Sequence, residues 1–502
     1  MSSTLDAPPA APRGTGDSGD SGDAGYAKHL KNRHIQMIGI GGAIGSGLFM
    51  GSAGRLHSAG PSLIFAYAIC GAVAMIVVRA LGEMVLYRPS SGAFVSYSRE
   101  FIGEKGAYAA GWFHFTNWAF TLIADSTVIA SFLIFWSPLK DALPQGGWAA
   151  IALVTALAIN LIGVKLFGEM EFWFSAIKVG TIILFMLASI YFIIVGQDLS
   201  GGGKPASAGV HNITDSGFFP NGVSPMFTLL TGVIFAYAAM ELIGVAAGET
   251  ENPREVMPKA VRSVLWRILI FYVGTITLLC FLLPTAQYKQ GESPFVTVLD
   301  RVGFHVGGVR MADIMNVVLI SAVASSMNSG LYSTGRVLRS MAVAGTAPRI
   351  LGKMSRTQVP YAAILATAAF GAIGVVINFK WPSHAFEIAL EAATLGIIGV
   401  WSMILISHMM MVRKAARGEL ERPDFRLKGA PVLNIIALVF LAAVLVLIAI
   451  DPTDSSPESA AAVRFGGPIL VLLLVGGWFL VRNRIDAAVF DDIDDGDEYV
   501  TS

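Results

Sequence analysis

The chain has 502 residues, 54% hydrophobic and only 14% charged, with a formal net charge of zero. Soluble domains carry about 25% charged residues, and a mean hydropathy of +0.64 points to membrane spans rather than a water-soluble core. The balanced charge gives no reason to expect nucleic acid as a partner, and the two cysteines, Cys70 and Cys280, sit in apolar runs that argue against a disulfide framework or thiolate metal site.

Residues 1–27 are rich in Gly, Ser, Asp and Pro without an apolar core, so they read as a disordered cytoplasmic tail and not as a cleavable signal. Residues 486–502 form a second, acidic tail. Residues 28–485 between them read as one all-α integral membrane domain. A span needs about 20 mostly apolar residues. Twelve such segments are expected, near 35–57, 61–87, 107–136, 147–165, 170–196, 223–248, 265–285, 311–341, 361–379, 386–411, 432–450 and 467–482. The eighth is the weakest on hydropathy. Its Ser321, Ser325, Ser326, Asn328, Ser329, Ser333 and Thr334 suit a helix that faces other helices or a water-filled path. With both termini cytoplasmic, the inner segments and helix ends hold 26 Lys and Arg against 8 outside, as the positive-inside rule requires.

The first span carries Met37–Gly51, MIGIGGAIGSGLFMG, with six glycines in fifteen residues. Each weakens a helix by about 1 kcal/mol relative to alanine. Close helix packing explains a lone GxxxG, but the mid-span cluster Gly41, Gly42, Gly45 and Gly47 is denser than packing requires. The sixth span is similar, with Gly232, Gly244 and Gly248 around Glu241. Interrupted helices in matching positions of two halves point to an inverted-repeat transporter. Freed N–H groups at a half-helix start attract a carboxylate, and freed carbonyls at the neighbouring half-helix end receive an ammonium. Together they suit a small zwitterion.

Three other classes fit less well. A membrane enzyme lacks any HExxH, GxSxG, CxxC or Walker A pattern, so no catalytic residue, cofactor or metal is expected. A channel would need a filter-like repeat or ring of charge. A sensor would need a signalling domain that neither tail resembles.

Five motifs carry a family resemblance: QMIGIGGAIGSGLF (36–49), LGEMVLYRPSSGAFVSYSREFIGEKGAYAAGW (81–112), FGEMEFWFSAIKV (167–179), ELIGVAAGETENPREVMPKA (241–260) and SMNSGLYSTGRVLRSMA (326–342). In this order they resemble the bacterial amino acid permeases of the amino acid–polyamine–organocation superfamily, from about Lys28 to Arg484. The Ala238-Ala239-Met240-Glu241 run and the stretch around Asp125 are most similar to permeases for L-asparagine; those for D-alanine, D-serine and glycine are close cousins. The resemblance implies a LeuT-type fold of two inverted five-helix repeats plus two helices, with helices 1 and 6 interrupted. It implies proton-coupled uptake of an amino acid across the bacterial cytoplasmic membrane. Carried over residue by residue, the carboxylate site falls on the backbone N–H groups near Gly45, Ser46 and Gly47. The amine site falls on carbonyls near Ala43, Ile44, Phe235 and Ala238. Where relatives usually have glycine, Ala239 adds a methyl group that would narrow the side-chain pocket.

Charges inside spans are costly and usually face a functional interior. Lys178 lies too deep in the fifth span to snorkel. The resemblance places it where sodium-coupled relatives hold an ion, so it is a candidate for proton coupling, as is Glu241. Glu241 is alternatively a brace for broken backbone, and Asp125 a partner for a substrate's side-chain amide or for a buried neighbour. Glu391 is a weaker candidate, Glu387 a solvated one. Glu83 is expected to pair with Arg79 and Arg88 as an anchor. Tyr237 and Tyr332 are candidate gates or packing aromatics, and His114 and His305 are expected at the interface. Loop 88–106 is expected to be amphipathic and cytoplasmic.

Overall fold

The computed structural model describes residues 45–90, 92–162, 164–201, 203–244, 253–450, 461–483 and 485. The two expected tails lie outside the described residues, apart from the ends of the membrane domain that adjoin them, and so do Met37–Ile44 of the first glycine cluster. The described regular structure is helical apart from one small hairpin, in which His305–Val306 pairs antiparallel with Val309–Arg310, and an isolated bridge between Asp198 and Ser207.

The chain begins with two short helices, α1 (Ser46–Phe49) and α2 (Gly51–Ala59). A turn at Gly60 leads into α3 (Leu63–Tyr87). Gly60 has φ +63, and a Cβ there would meet the Pro220 ring at 2.5 Å, so both conformation and space call for glycine. Then follow α4 (Ala93–Ile102), α5 (Glu104–Leu133), α6 (Gln145–Ile162) and α7 (Val164–Val195). Next comes α8 (Leu230–Ala236). Helix α9 (Pro253–Arg267) continues through a π-helical stretch, Ile268–Gly274, into α10 (Thr275–Leu282). The remainder are α11 (Met311–Val343), α12 (Tyr361–Lys380), α13 (Ala385–Ala416), α14 (Val432–Ala449) and α15 (Gly467–Val481).

Among the described residues, nine helical stretches are long and apolar enough to cross a membrane. Most bounds agree with the hydropathy reading. The expected spans 35–57, 107–136 and 223–248 are not separate members of the nine, and the seventh begins twelve residues early because Arg254, Glu255, Lys259 and Arg262 continue the same helix past its apolar part. Hydropathy registers only the portion that sits in hydrocarbon. Loop 88–106 is largely the helix α4, whose inward face Phe94, Val95 and Tyr97 is buried.

Burial separates the helices into centre and rim. In α11 and α13, 67% and 72% of the best apolar window is buried, against 22% in α7, 28% in α14 and none in α15. The rim helices expose rows of large aliphatics such as Leu184, Leu187 and Ile194 or Leu472, Leu473 and Leu480, which lipid can solvate and water cannot. Helix α11 has the lowest mean hydropathy of the nine, 1.4. Its polar side chains Ser325, Asn328, Ser329, Ser333 and Thr334 are buried against other helices. Central α5 packs against both α11 and α13.

Candidate functional site

The helix start that follows the first glycine cluster meets the interruption in the second. Gly45 is extended (φ −135, ψ −156) and α1 starts at the next residue. The first N–H groups of that helix therefore have no helical carbonyl one turn back. Helix α8 stops at Ala236, and the residues to Glu241 form turns in which Ala238 N–H reaches Phe235 O (3.0 Å) and Gly244 N–H reaches Glu241 O (2.9 Å). A Cβ on Gly47 would stand 2.7 Å from Ala236 Cα and 2.9 Å from the Phe235 ring. Gly47 is therefore required by direct contact of the two broken backbones. Of the expected backbone ligands, Gly45, Ser46, Gly47, Phe235, Ala238 and Ala239 are in this contact zone, while Ala43 and Ile44 lie outside the described residues. The Phe235 carbonyl already accepts the Ala238 N–H, which leaves one lone pair for anything else.

Ala239 has φ +70, the left-handed region that costs a non-glycine residue roughly 1–2 kcal/mol. Ala239 is thus held in a strained backbone that glycine would occupy freely. Such strain concentrates at functional sites.

Asp125, on α5, is fully buried and closes one side of the zone. Ser46 Oγ donates to its Oδ1 at 2.5 Å and the Ser326 hydroxyl of α11 also lies against the carboxylate, while Oδ2 has no hydrogen bond of ordinary geometry among the described residues. Glu241 is also buried. Its Oε2 accepts from Trp401 Nε1 of α13 at 3.4 Å, and its Oε1 has no partner among the described residues. The N–H groups of Glu241 and Ala239 also act on this carboxylate, as a brace for broken backbone would, so Asp125 Oδ2 and Glu241 Oε1 are the single oxygens left without a hydrogen bond of ordinary geometry among the described residues.

Lys178, on α7, is fully buried. Its Nζ donates to Ser325 Oγ of α11 at 2.9 Å, and Ser325 Oγ in turn lies 2.8 Å from both carboxylate oxygens of Glu171. Lys178 Nζ and Glu171 Oε1 are 4.0 Å apart. Asp125 and Arg267 are close enough to act on Lys178 electrostatically. The motif FGEMEFW contains Glu171, yet sequence reasoning gave it no role. Its signal was the spacing of seven residues before Lys178, two helical turns on one face.

An outer cluster lies on the other side of the zone. Arg55 of α2 is buried and donates to Glu387 Oε2 of α13 at 3.3 Å and to the Gly51 carbonyl. Its guanidinium lies flat on Gly232, where any Cβ would overlap it. Glu387, expected to be solvated, is therefore an ion-pair partner with 16% side-chain exposure. Glu391 Oε1 accepts from Thr231 Oγ1 of α8 at 3.2 Å. Glu387, Met50, Phe132, Gln290 and Asn316 border a cavity of about 760 Å³.

Two other expectations need correction. Glu83 does not pair with Arg79 or Arg88. Arg422 bonds it twice, at 2.6 and 3.1 Å; His408 Nε2 lies at 2.9 Å and Leu427 N–H at 2.6 Å. Arg88 is five positions on, round the helix, and takes Glu100 at 2.8 Å. Arg79 instead lies over the Phe425 ring, 3.4 Å from its centroid. His114 is not interfacial: it is buried on α5, 3.0 Å from Ser333 Oγ, and only His305 is exposed. Tyr237 is a packing residue between α3 and the π-helical stretch. Its hydroxyl donates to Tyr67 O at 2.7 Å and its ring lies 4.6 Å from that of Tyr272. The Tyr332 ring stacks under the Arg336 guanidinium at 3.5 Å. Among the described residues no group of His, Cys, Asp and Glu has a metal-binding arrangement.

This arrangement joins broken backbone, open buried carboxylates and a buried lysine in a bundle of membrane helices. The family model for amino acid permeases matches residues 34–488. An L-asparagine permease of Streptomyces coelicolor is 52% identical over 457 residues, 91% of each chain. One of Salmonella typhimurium is 48% identical, covering 90% of this chain and 89% of its own. L-asparagine permease 2 of Mycobacterium bovis is 46% identical over 93% of both. The helices, the site and the length of these matches lead to one conclusion: the chain belongs to the amino acid permease family.

Proposed function

We propose that this permease is a proton-coupled symporter that takes up L-asparagine across the bacterial cytoplasmic membrane. The single observation that carries the substrate is Asp125. It presents an open buried carboxylate oxygen beside the two helix interruptions, and a side-chain amide can donate to it, whereas a second carboxylate would be repelled. The identity to permeases named for L-asparagine supports the same reading. Small neutral amino acids such as D-serine, D-alanine and glycine are the alternative substrates; D-alanine and glycine have no side-chain donor for the Asp125 oxygen, whereas the D-serine hydroxyl could reach it.

In this reading the fold is the LeuT-type arrangement of twelve membrane helices, with α1–α2 and α8 as halves of the two interrupted ones. Residues 28–485 form the membrane domain between two cytoplasmic tails. The substrate carboxylate sits on the N–H groups of Gly45, Ser46 and Gly47. Its ammonium sits on carbonyls near Ala43, Ile44 and Ala238, with the free lone pair of Phe235. Lys178 occupies the position of a coupling cation and exchanges the proton, and Glu241 adds a second exchangeable site. Tyr237 is better read as packing than as a gate. The test is a competition panel: uptake of radiolabelled L-asparagine challenged with each amino acid, at two pH values, with and without sodium. Coupling predicts uptake that rises at acid outside pH and ignores sodium. A sodium requirement, or equal inhibition by aspartate and asparagine, would overturn the reading.

A further inference from the structure

We propose that Glu171 is the cytoplasmic-side proton relay for Lys178, reached through the Ser325 hydroxyl; this rests on the proton-coupled reading above. The hydrogen bonds already run in one direction. Lys178 Nζ donates to Ser325 Oγ at 2.9 Å, and Ser325 Oγ donates to Glu171 at 2.8 Å. All three side chains are buried. A hydroxyl that accepts from one group and donates to the next is the minimal element for passing a proton. The 4.0 Å separation of Nζ and Oε1 is longer than a charge-assisted hydrogen bond of about 2.8 Å, so the serine stands between two groups that do not bond directly. The described donors to Glu171 are hydroxyls, Ser325 and also Ser175 at 3.2 Å; they rotate to suit a carboxylate or a carboxylic acid. No arginine clamps this carboxylate among the described residues.

Position supplies the direction. Glu171 lies seven residues before Lys178 on α7, about 10 Å along the axis. With the N-terminus inside, this is the cytoplasmic side of the lysine. The lysine side chain leans back toward the helix start, which brings the pair together. The other charged groups near Lys178 are Asp125 of α5, on the substrate side, and Arg267 of α9.

In the step itself, an Nζ–H bond of the Lys178 ammonium breaks and its proton passes to Ser325 Oγ. The Ser325 proton passes to a Glu171 oxygen. Lysine becomes the neutral amine and Glu171 the neutral acid, so the pair carries no net charge before or after. Glu171 then releases its proton to water on the inner side. This places a proton exit beside the lysine and away from the substrate.

Purified protein in liposomes tests this with two assays, L-asparagine accumulation driven by an imposed pH gradient and asparagine–asparagine exchange, which needs no net proton movement. For Glu171→Gln the ratio of driven accumulation to exchange should fall about tenfold or more, since an amide accepts from Ser325 but cannot take the proton. Ser325→Ala should lower the same ratio, and Ser325→Thr, which keeps the hydroxyl, should restore it. An unchanged ratio in Glu171→Gln or Ser325→Ala overturns the relay. Equal loss of both assays in Glu171→Gln makes the residue structural and overturns it as well. Failure of the coupling reading would look different: wild-type accumulation itself would ignore the imposed gradient.

Discussion

Glu83 and Asp125 are both fully buried carboxylates in central helices, yet their surroundings are opposite. Glu83, at the inner end of α3, receives two bonds from Arg422, one from a backbone N–H and one contact from His408. Both of its oxygens are used. Asp125 has only serine hydroxyls beside it, Ser46 on Oδ1 and Ser326 close to the carboxylate, and its Oδ2 lacks a hydrogen bond of ordinary geometry among the described residues. A saturated carboxylate is a fixed joint, here tying α3 to α13 and the segment before α14. A half-satisfied one in a membrane interior is costly, and its retention fits a place where a ligand completes the set.

Substitutions break or sharpen this contrast. The largest effect is expected for Glu83→Ala. It strands a buried arginine contact and a buried histidine, so it should destabilise the protein by about 3–5 kcal/mol, measured as a lower melting temperature in detergent. If Glu83→Ala kept its stability but lost asparagine selectivity, the contrast would collapse. Next is Lys178→Ala, expected to reduce concentrative uptake by about a hundredfold while asparagine exchange suffers less; normal pH-driven uptake in that variant would remove Lys178 from coupling. Asp125→Asn should leave folding nearly intact but relax discrimination against aspartate by roughly tenfold, about 1.4 kcal/mol. Competition by aspartate reads this directly, and unchanged selectivity would reassign Asp125 to structure. The smallest effect belongs to Ala239→Gly. Relief of its left-handed backbone should stabilise the protein by about 1 kcal/mol, offset in part by the greater freedom of glycine when unfolded. Larger substrates should then compete better. A loss of stability would mean that the Ala239 methyl contributes packing worth more than the strain.

Hydropathy read the spans closely because a lipid-facing helix needs a run of apolar residues and little else. Thus 361–379 and 432–450 were placed almost residue for residue against Tyr361–Lys380 and Val432–Ala449. The break after Ala236 was legible for a related reason: glycines around a mid-span carboxylate have few explanations in lipid. The charge partners were not legible. Glu83 and Arg422 are separated by 339 positions, and the positive-inside count sees Arg422 only as one more inner charge. Helical spacing favoured Arg79, four residues away, but the Phe425 ring takes it. Likewise Arg55 finds Glu387 332 positions away, across a surface that only Gly232 leaves open.

The sequence by itself determined that the chain lives in a membrane, where most of its helices run and where the sixth expected span breaks, because each of these is a local property of composition and glycine placement. Only the tertiary structure decided which buried charges meet. It joined Lys178 to Glu171 through Ser325, gave Asp125 serine hydroxyls and, among the described residues, no cation to bond, and forced Ala239 into a left-handed turn. Those outcomes depend on which helix faces which, and packing of whole helices sets that rather than the residues on either side.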